Sequence, residues 1–143
     1  MMWILLAAVS LILPPVPGAT NPDVTQDNIQ TTICKSGFTG TIRPSVSYTN
    51  KLKKEQMQKY NLPGKPSDYE EDHLISLEIG GSPTDPNNLW PETYAGEWGA
   101  RKKDRIENKL HKMVCSNDIS LRDAQIAIST NWIDAYKKYI GDN

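Results

Sequence analysis

The chain has 143 residues, 38% hydrophobic and 23% charged, with 16 Lys and Arg against 17 Asp and Glu. That length suits one small domain, and the composition excludes a disordered chain. A net charge of −1 argues against a surface devoted to gripping a polyanion, although charge is unevenly distributed along the chain.

Residues 1–19 open Met-Met-Trp-Ile-Leu-Leu and stay apolar to Leu13 before Pro14, Pro15, Pro17, Gly18 and Ala19. The apolar run is about a dozen residues, against the ~20 that a membrane-spanning helix needs, and small residues close it. It reads as a secretory signal peptide cleaved near Gly18 or Ala19, with an uncleaved anchor as the alternative. The expected location is therefore secreted or periplasmic, with no membrane association after cleavage. Export takes Cys34 and Cys115 into an oxidising compartment, where one disulfide between them is expected. Closing so long a loop stabilises the fold by about 3–4 kcal/mol in the chain-entropy picture. No Cys-x-x-Cys pair supports a zinc site instead.

Residues 20–66 read as an N-terminal extension packed on a core formed by residues 67–143. Thr20 to Thr32 is polar and predicts a loosely held lead-in. Ile33 to Val46 alternates apolar with polar residues around Gly37, Gly40 and Pro44, which predicts one or two short strands. Thr49 reads as the cap of a helix over Asn50 to Tyr60, ended by Asn61-Leu62-Pro63-Gly64. Tyr69 to Leu77 is strand-like, Gly80-Gly81-Ser82-Pro83 with Asp85-Pro86 builds a turn-rich loop, and Asn88-Leu89-Trp90-Pro91 begins a second strand. Gly99 then opens a helix with Ile106, Leu110, Met113 and Val114 at helical spacing. Ser120 with Asp123 predicts the start of a helix over Leu121 to Ile128, and Thr130 is placed to cap another through Trp132, Tyr136 and Ile140.

The chemistry-bearing stretch is Asp72-His73-Leu74-Ile75, then Gly80-Gly81, then Asn88-Leu89, then a helix carrying Lys103-Asp104-Arg105. In this order and spacing it resembles the HNH (ββα-metal) endonuclease superfamily, over about the middle third of the chain. The segment from Tyr69 to Glu92 with its flanks also looks like a group of small exported bacterial proteins of that superfamily. The resemblance implies an α+β fold with a ββα-metal core, here carrying extra N- and C-terminal helices. It implies that Asp72 ligates a divalent ion and that His73 is the general base. Asn88 would tie the loop to the strand bearing His73. The helix ligand falls on Asp104, where some members have Asn; His111 and Glu97 compete for that place.

Hydrolysing a phosphodiester needs an activated water, stabilised charge on the phosphate and help for the departing oxygen, which a base and one cation can supply. A neutral imidazole held by a backbone carbonyl through its other nitrogen suits the base. Oxygen ligands favour Mg²⁺ or Mn²⁺, with Zn²⁺ or Ni²⁺ as alternatives. Regular strand alternation sends Asp72 and His73 to opposite faces, so the strand must twist or end there. Gly80 and Gly81 read as positive-φ turn residues. Arg101, Lys102, Lys103 and Arg105 are candidate phosphate contacts, while Trp90, Tyr94, Trp98 and Trp132 read first as core aromatics.

The expected activity is endonucleolytic hydrolysis of DNA, with RNA as the alternative substrate, little sequence preference and no obligate protein partner. Two rivals stand beside it. One is an exported HNH-fold binding or structural domain without turnover. The other is a hydrolase of cell-wall polysaccharide using Glu70, Glu71 or Asp72 with another acid.

Overall fold

The computed structural model describes residues 13–141, so the apolar part of the expected leader, residues 1–12, lies outside the described residues. The protein is a mixed α+β fold with four α-helices and one two-stranded antiparallel sheet among the described residues. The helices are α1 (Phe38–Ile42), α2 (Val46–Lys59), α3 (Ala100–Cys115) and α4 (Leu121–Tyr139), and the strands are β1 (Tyr69–His73) and β2 (Leu89–Thr93). No helix among the described residues is long and apolar enough to cross a membrane.

The hairpin register sets the site. Glu70 lies opposite Glu92, Asp72 opposite Trp90 and His73 opposite Leu89. Alternation therefore puts Glu70, Asp72, Trp90 and Glu92 on one face of the sheet. β1 is shorter than the apolar pattern through Leu77 predicts, because the chain leaves the sheet at Leu74 and makes a 3-10 turn over Leu77–Ile79. Leu74, Ile75, Leu77 and Ile79 are buried by that turn.

α3 buries Ile106, Leu110 and Val114 against Ala124, Ile128, Trp132 and Tyr136 of α4. The disulfide Cys34–Cys115 is present, with Cα atoms 5.7 Å apart, and joins the end of α3 to the segment before α1. His111 reinforces the join through its Nε2, 2.8 Å from the Ile33 carbonyl oxygen.

The N-terminal third departs most from the sequence pattern. Thr20 to Thr32 is firmly held: Thr20 bridges Gly81, and Val24 and Ile29 enter the core. No strand forms over Ile33 to Val46; Phe38–Ile42 is helical, with Phe38 packed on the core. Pro44 pushes Arg43 into extended backbone, which ends α1. The cap of α2 is Ser45, whose hydroxyl accepts from the Tyr48 amide at 3.2 Å, four residues earlier than Thr49. α4 is kinked at Asn131, whose side chain accepts from the Ile133 and Asp134 amides, so the recapping falls there and not at Thr130.

Candidate active site

Beneath the end of β1 lies a cavity of 270 Å³. Asp72 and His73 from the strand and Asp104 and Glu107 from α3 line it, together with Glu70, Glu78 and Arg43. Asp72 and His73 share it because His73 is the last residue of the strand. The Leu74 amide still donates to the Asn88 carbonyl at 2.8 Å, but beyond it the chain turns out of the sheet toward Leu77–Ile79, and both side chains border the cavity.

His73 is buried, and its Nε2 lies 2.8 Å from the Pro83 carbonyl oxygen. A carbonyl only accepts, so Nε2 carries the proton and the neutral ring presents Nδ1 as its lone-pair nitrogen. Burial lowers the His73 pKa, opposed in part by that bond, which favours the neutral base at pH 7.

Asn88 holds the strand end in place. It is completely buried; its Oδ1 accepts from the Ile75 amide at 2.9 Å and the Ala19 amide at 3.3 Å. Its Nδ2 donates to the carbonyls of Ile75 at 3.0 Å and Ser82 at 2.9 Å. All four bonding positions of the amide are filled. The two glycines serve different purposes. Gly80 has φ +84°, whereas Gly81 is required by close approach, since a Cβ there would lie 1.6 Å from the Ile75 carbonyl oxygen.

Lys103 overturns its assignment as a phosphate contact. It is completely buried on the stripe shared with Ile106 and Leu110. Its Nζ donates to Asp72 Oδ2 at 2.8 Å, to the His73 carbonyl at 2.8 Å and to Glu107 Oε2 at 2.6 Å. Burial alone would lower its pKa, but Asp72 and Glu107 outweigh burial and hold it raised and charged. The ammonium thus fixes one oxygen of Asp72 and steadies the strand end, out of reach of a ligand phosphate.

The remaining basic residues lie elsewhere. Arg101, Lys102 and Arg105 border a separate depression with Tyr94 and Glu97. Lys102 stands 4.4 Å over the Trp98 ring and 3.9 Å from Glu97, and Arg105 donates to the Tyr136 hydroxyl. The guanidinium on the cavity wall is Arg43, which sequence reasoning missed; it has no ion pair among the described residues. Its only local signal is the Arg-Pro step that stops α1.

Of the candidate helix ligands, Asp104 is exposed at the cavity rim, and burial followed by the nearby Asp72 charge raises its pKa. His111 is committed to Ile33, and Glu97 is on the separate depression, so neither lines the cavity. Glu71 faces away from Glu70 and Asp72 and is close enough to Lys53 of α2 to feel its charge, which removes it from the carboxylates available to a polysaccharide hydrolase. Trp90 and Trp132 are core residues, Trp98 packs edge-on against Trp132 and Tyr136, and Tyr94 is exposed.

The sheet face holds more acid than its neighbours neutralise. Ligand oxygens of Glu70, Asp72 and Glu92 lie within 4.8 Å of one another. Burial, and next the Asp72 charge, raises Glu70 to about 7 and pushes Glu92 well above the carboxylate range. Hard oxygen donors in excess of local positive charge are what a divalent cation of the Mg²⁺ or Mn²⁺ type requires. Comparison with known proteins adds no relative: no protein-family model, curated protein or solved structure matches the chain.

Proposed function

We propose that this protein is a metal-dependent endonuclease of the HNH type that hydrolyses phosphodiester bonds of DNA, with RNA as the alternative substrate. The observation that carries the reading is the His73 imidazole. It is buried, neutral and fixed as the Nε2–H tautomer beside a carboxylate-lined cavity. The resemblance of the Asp72-His73, Gly80-Gly81 and Asn88-Leu89 run to the HNH signature supplies the reaction class. The reading includes export by a cleaved leader.

In this reading His73 Nδ1 takes a proton from water as its oxygen bonds to phosphorus. The phosphorus–O3′ bond breaks, leaving a 5′ phosphate, and the departing O3′ takes a proton from solvent water to become the 3′ hydroxyl. Asp72, with Oδ2 held by Lys103, keeps Oδ1 for the cation, and Asp104 at the rim is the helix ligand that the resemblance implies. A bound Mg²⁺ or Mn²⁺ would stabilise charge on the phosphate and on the departing oxygen. Arg43 would pair with a non-bridging phosphate oxygen, since its guanidinium is the unpaired cation of the wall. Arg101 and the exposed Tyr94 offer a path for the flanking backbone.

The test is purified mature protein with plasmid and Mg²⁺ or Mn²⁺, beside EDTA and H73A. Metal-dependent nicking that is abolished in both controls supports the reading, and absence of nicking with either metal sinks it. A non-catalytic binding domain is favoured by one observation, the commitment of Asp72 to Lys103, and it predicts nucleic-acid binding without nicking.

A further inference from the structure

The like charges of the hairpin face require an explanation that the ββα reading does not contain. Glu70 and Glu92 are directly opposed across the strands, an arrangement that ordinarily destabilises a sheet. Glu92 is 3% exposed, and its carboxylate has no hydrogen bond from a backbone or cationic donor; its close side-chain neighbour is the Asp72 carboxylate. Buried carboxylates are normally paired or bound to a cation. The nearest ammonium, Lys103, spends its three protons on Asp72, Glu107 and the His73 carbonyl. Four carboxylates, those of Glu70, Asp72, Glu92 and Glu107, thus face one ammonium.

We infer that Glu70, Asp72 and Glu92 together seat the divalent cation, on the sheet face at the floor of the cavity. This rests on the reading that the cavity takes a cation, and it replaces the single α3 ligand, Asp104, with two from the hairpin, Glu70 and Glu92. Asp72 contributes Oδ1, and Glu92 the carboxylate that comes from β2. Three oxygens whose mutual distances stay within 4.8 Å can surround an ion bound at 2.0–2.6 Å, which spans up to about 5 Å between opposite ligands. Asp104 then lies outside the inner ligand set and acts through the field at the rim.

Mn²⁺ alone, without nucleic acid, tests this by calorimetry. A parallel Tb³⁺ titration reads emission sensitised through tryptophan, because Trp90 sits opposite Asp72 on the same face. E92Q, nearly isosteric, and the less buried E70Q should each weaken Mn²⁺ at least tenfold. E71Q on the other face should leave affinity unchanged, and D104N should cost less than threefold. Thermal melts in EDTA verify that each variant folds. Mn²⁺ affinity within twofold of wild type in both E92Q and E70Q would overturn the assignment, as would a tenfold loss confined to D104N. Wild type that binds no Mn²⁺ overturns it together with the cation-dependent reading. Mn²⁺ bound as expected without plasmid nicking leaves the ligand set standing and sinks only the nuclease.

Discussion

Replacing Lys103 by Met tests the buried ion cluster. The change removes an ammonium that is completely buried and bonded to two carboxylates and a carbonyl, while conserving much of the side-chain volume. Breaking a buried pair costs about 3–5 kcal/mol, because the surviving charge has lost its partner without regaining water. Protonation of Glu107, already disposed toward its neutral form by burial, limits the loss to the lower part of that range at pH 7. A domain of this size then melts roughly 10–20 °C lower. Urea or thermal unfolding of the oxidised protein in EDTA measures it. The double variant K103M/E107Q should recover about 1 kcal/mol or more, since the unpaired carboxylate is gone. A loss below about 1 kcal/mol in K103M would refute the reasoning, for Lys103 would then be an ordinary solvated lysine.

Other consequences are equally measurable. N88A leaves the Ile75 amide and carbonyl without their side-chain partners and should cost about 2–4 kcal/mol in the same unfolding assay, with nicking lost as His73 shifts. Reducing Cys34–Cys115, 81 residues apart in sequence, should cost about 4 kcal/mol, read as a lower urea midpoint in dithiothreitol. R43A should raise KM for DNA about tenfold with a smaller effect on kcat, read from initial nicking rates. Glu70, with its pKa raised to about 7, favours the cation-free fold below the unfolded pKa near 4.5. That contribution is lost as pH rises through 7. Melts between pH 5 and 8 should therefore show falling stability whose slope 1 mM Mn²⁺ or E70Q reduces, the remainder coming from the other raised carboxyl groups such as Glu71 (about 1 mM being the order of a weak oxygen-ligand site).

What could be read from the sequence was what local pattern controls. The stripe Ile106, Leu110 and Val114 located α3, the hairpin followed from apolar runs around a Gly-Gly turn, and two cysteines behind an expected leader pointed to their disulfide. Phe38–Ile42 was misread because two glycines and β-branched neighbours favour extended backbone, whereas core packing of Phe38 and the disulfide hold a short helix. Val24 and Ile29 were too sparse in a polar stretch to announce a buried segment. Lys103 was the instructive failure. It sits among Arg101, Lys102 and Arg105 and looks solvated, yet it continues the stripe of Ile106 and Leu110 with Glu107 one turn on. Periodicity with an i, i+4 partner could have flagged it, but its bond to Asp72 depends on a contact across 31 residues. Arg43 and Glu92 belong to the same class, residues whose roles are set by tertiary neighbours that no local pattern encodes.

The central claim is that His73 is a neutral base acting in a cation-loaded cavity, and the pH dependence of single-turnover cleavage tests it most directly. An end-labelled duplex with Mn²⁺ in excess should be cut at a rate that rises with pH and levels off once His73 is neutral. H73A should lose at least about a hundredfold at the plateau. Cleavage in H73A at the wild-type rate, or a rate that falls as pH rises from 5.5 to 7.5 (a range bracketing the ordinary His pKa of about 6.5), would contradict it.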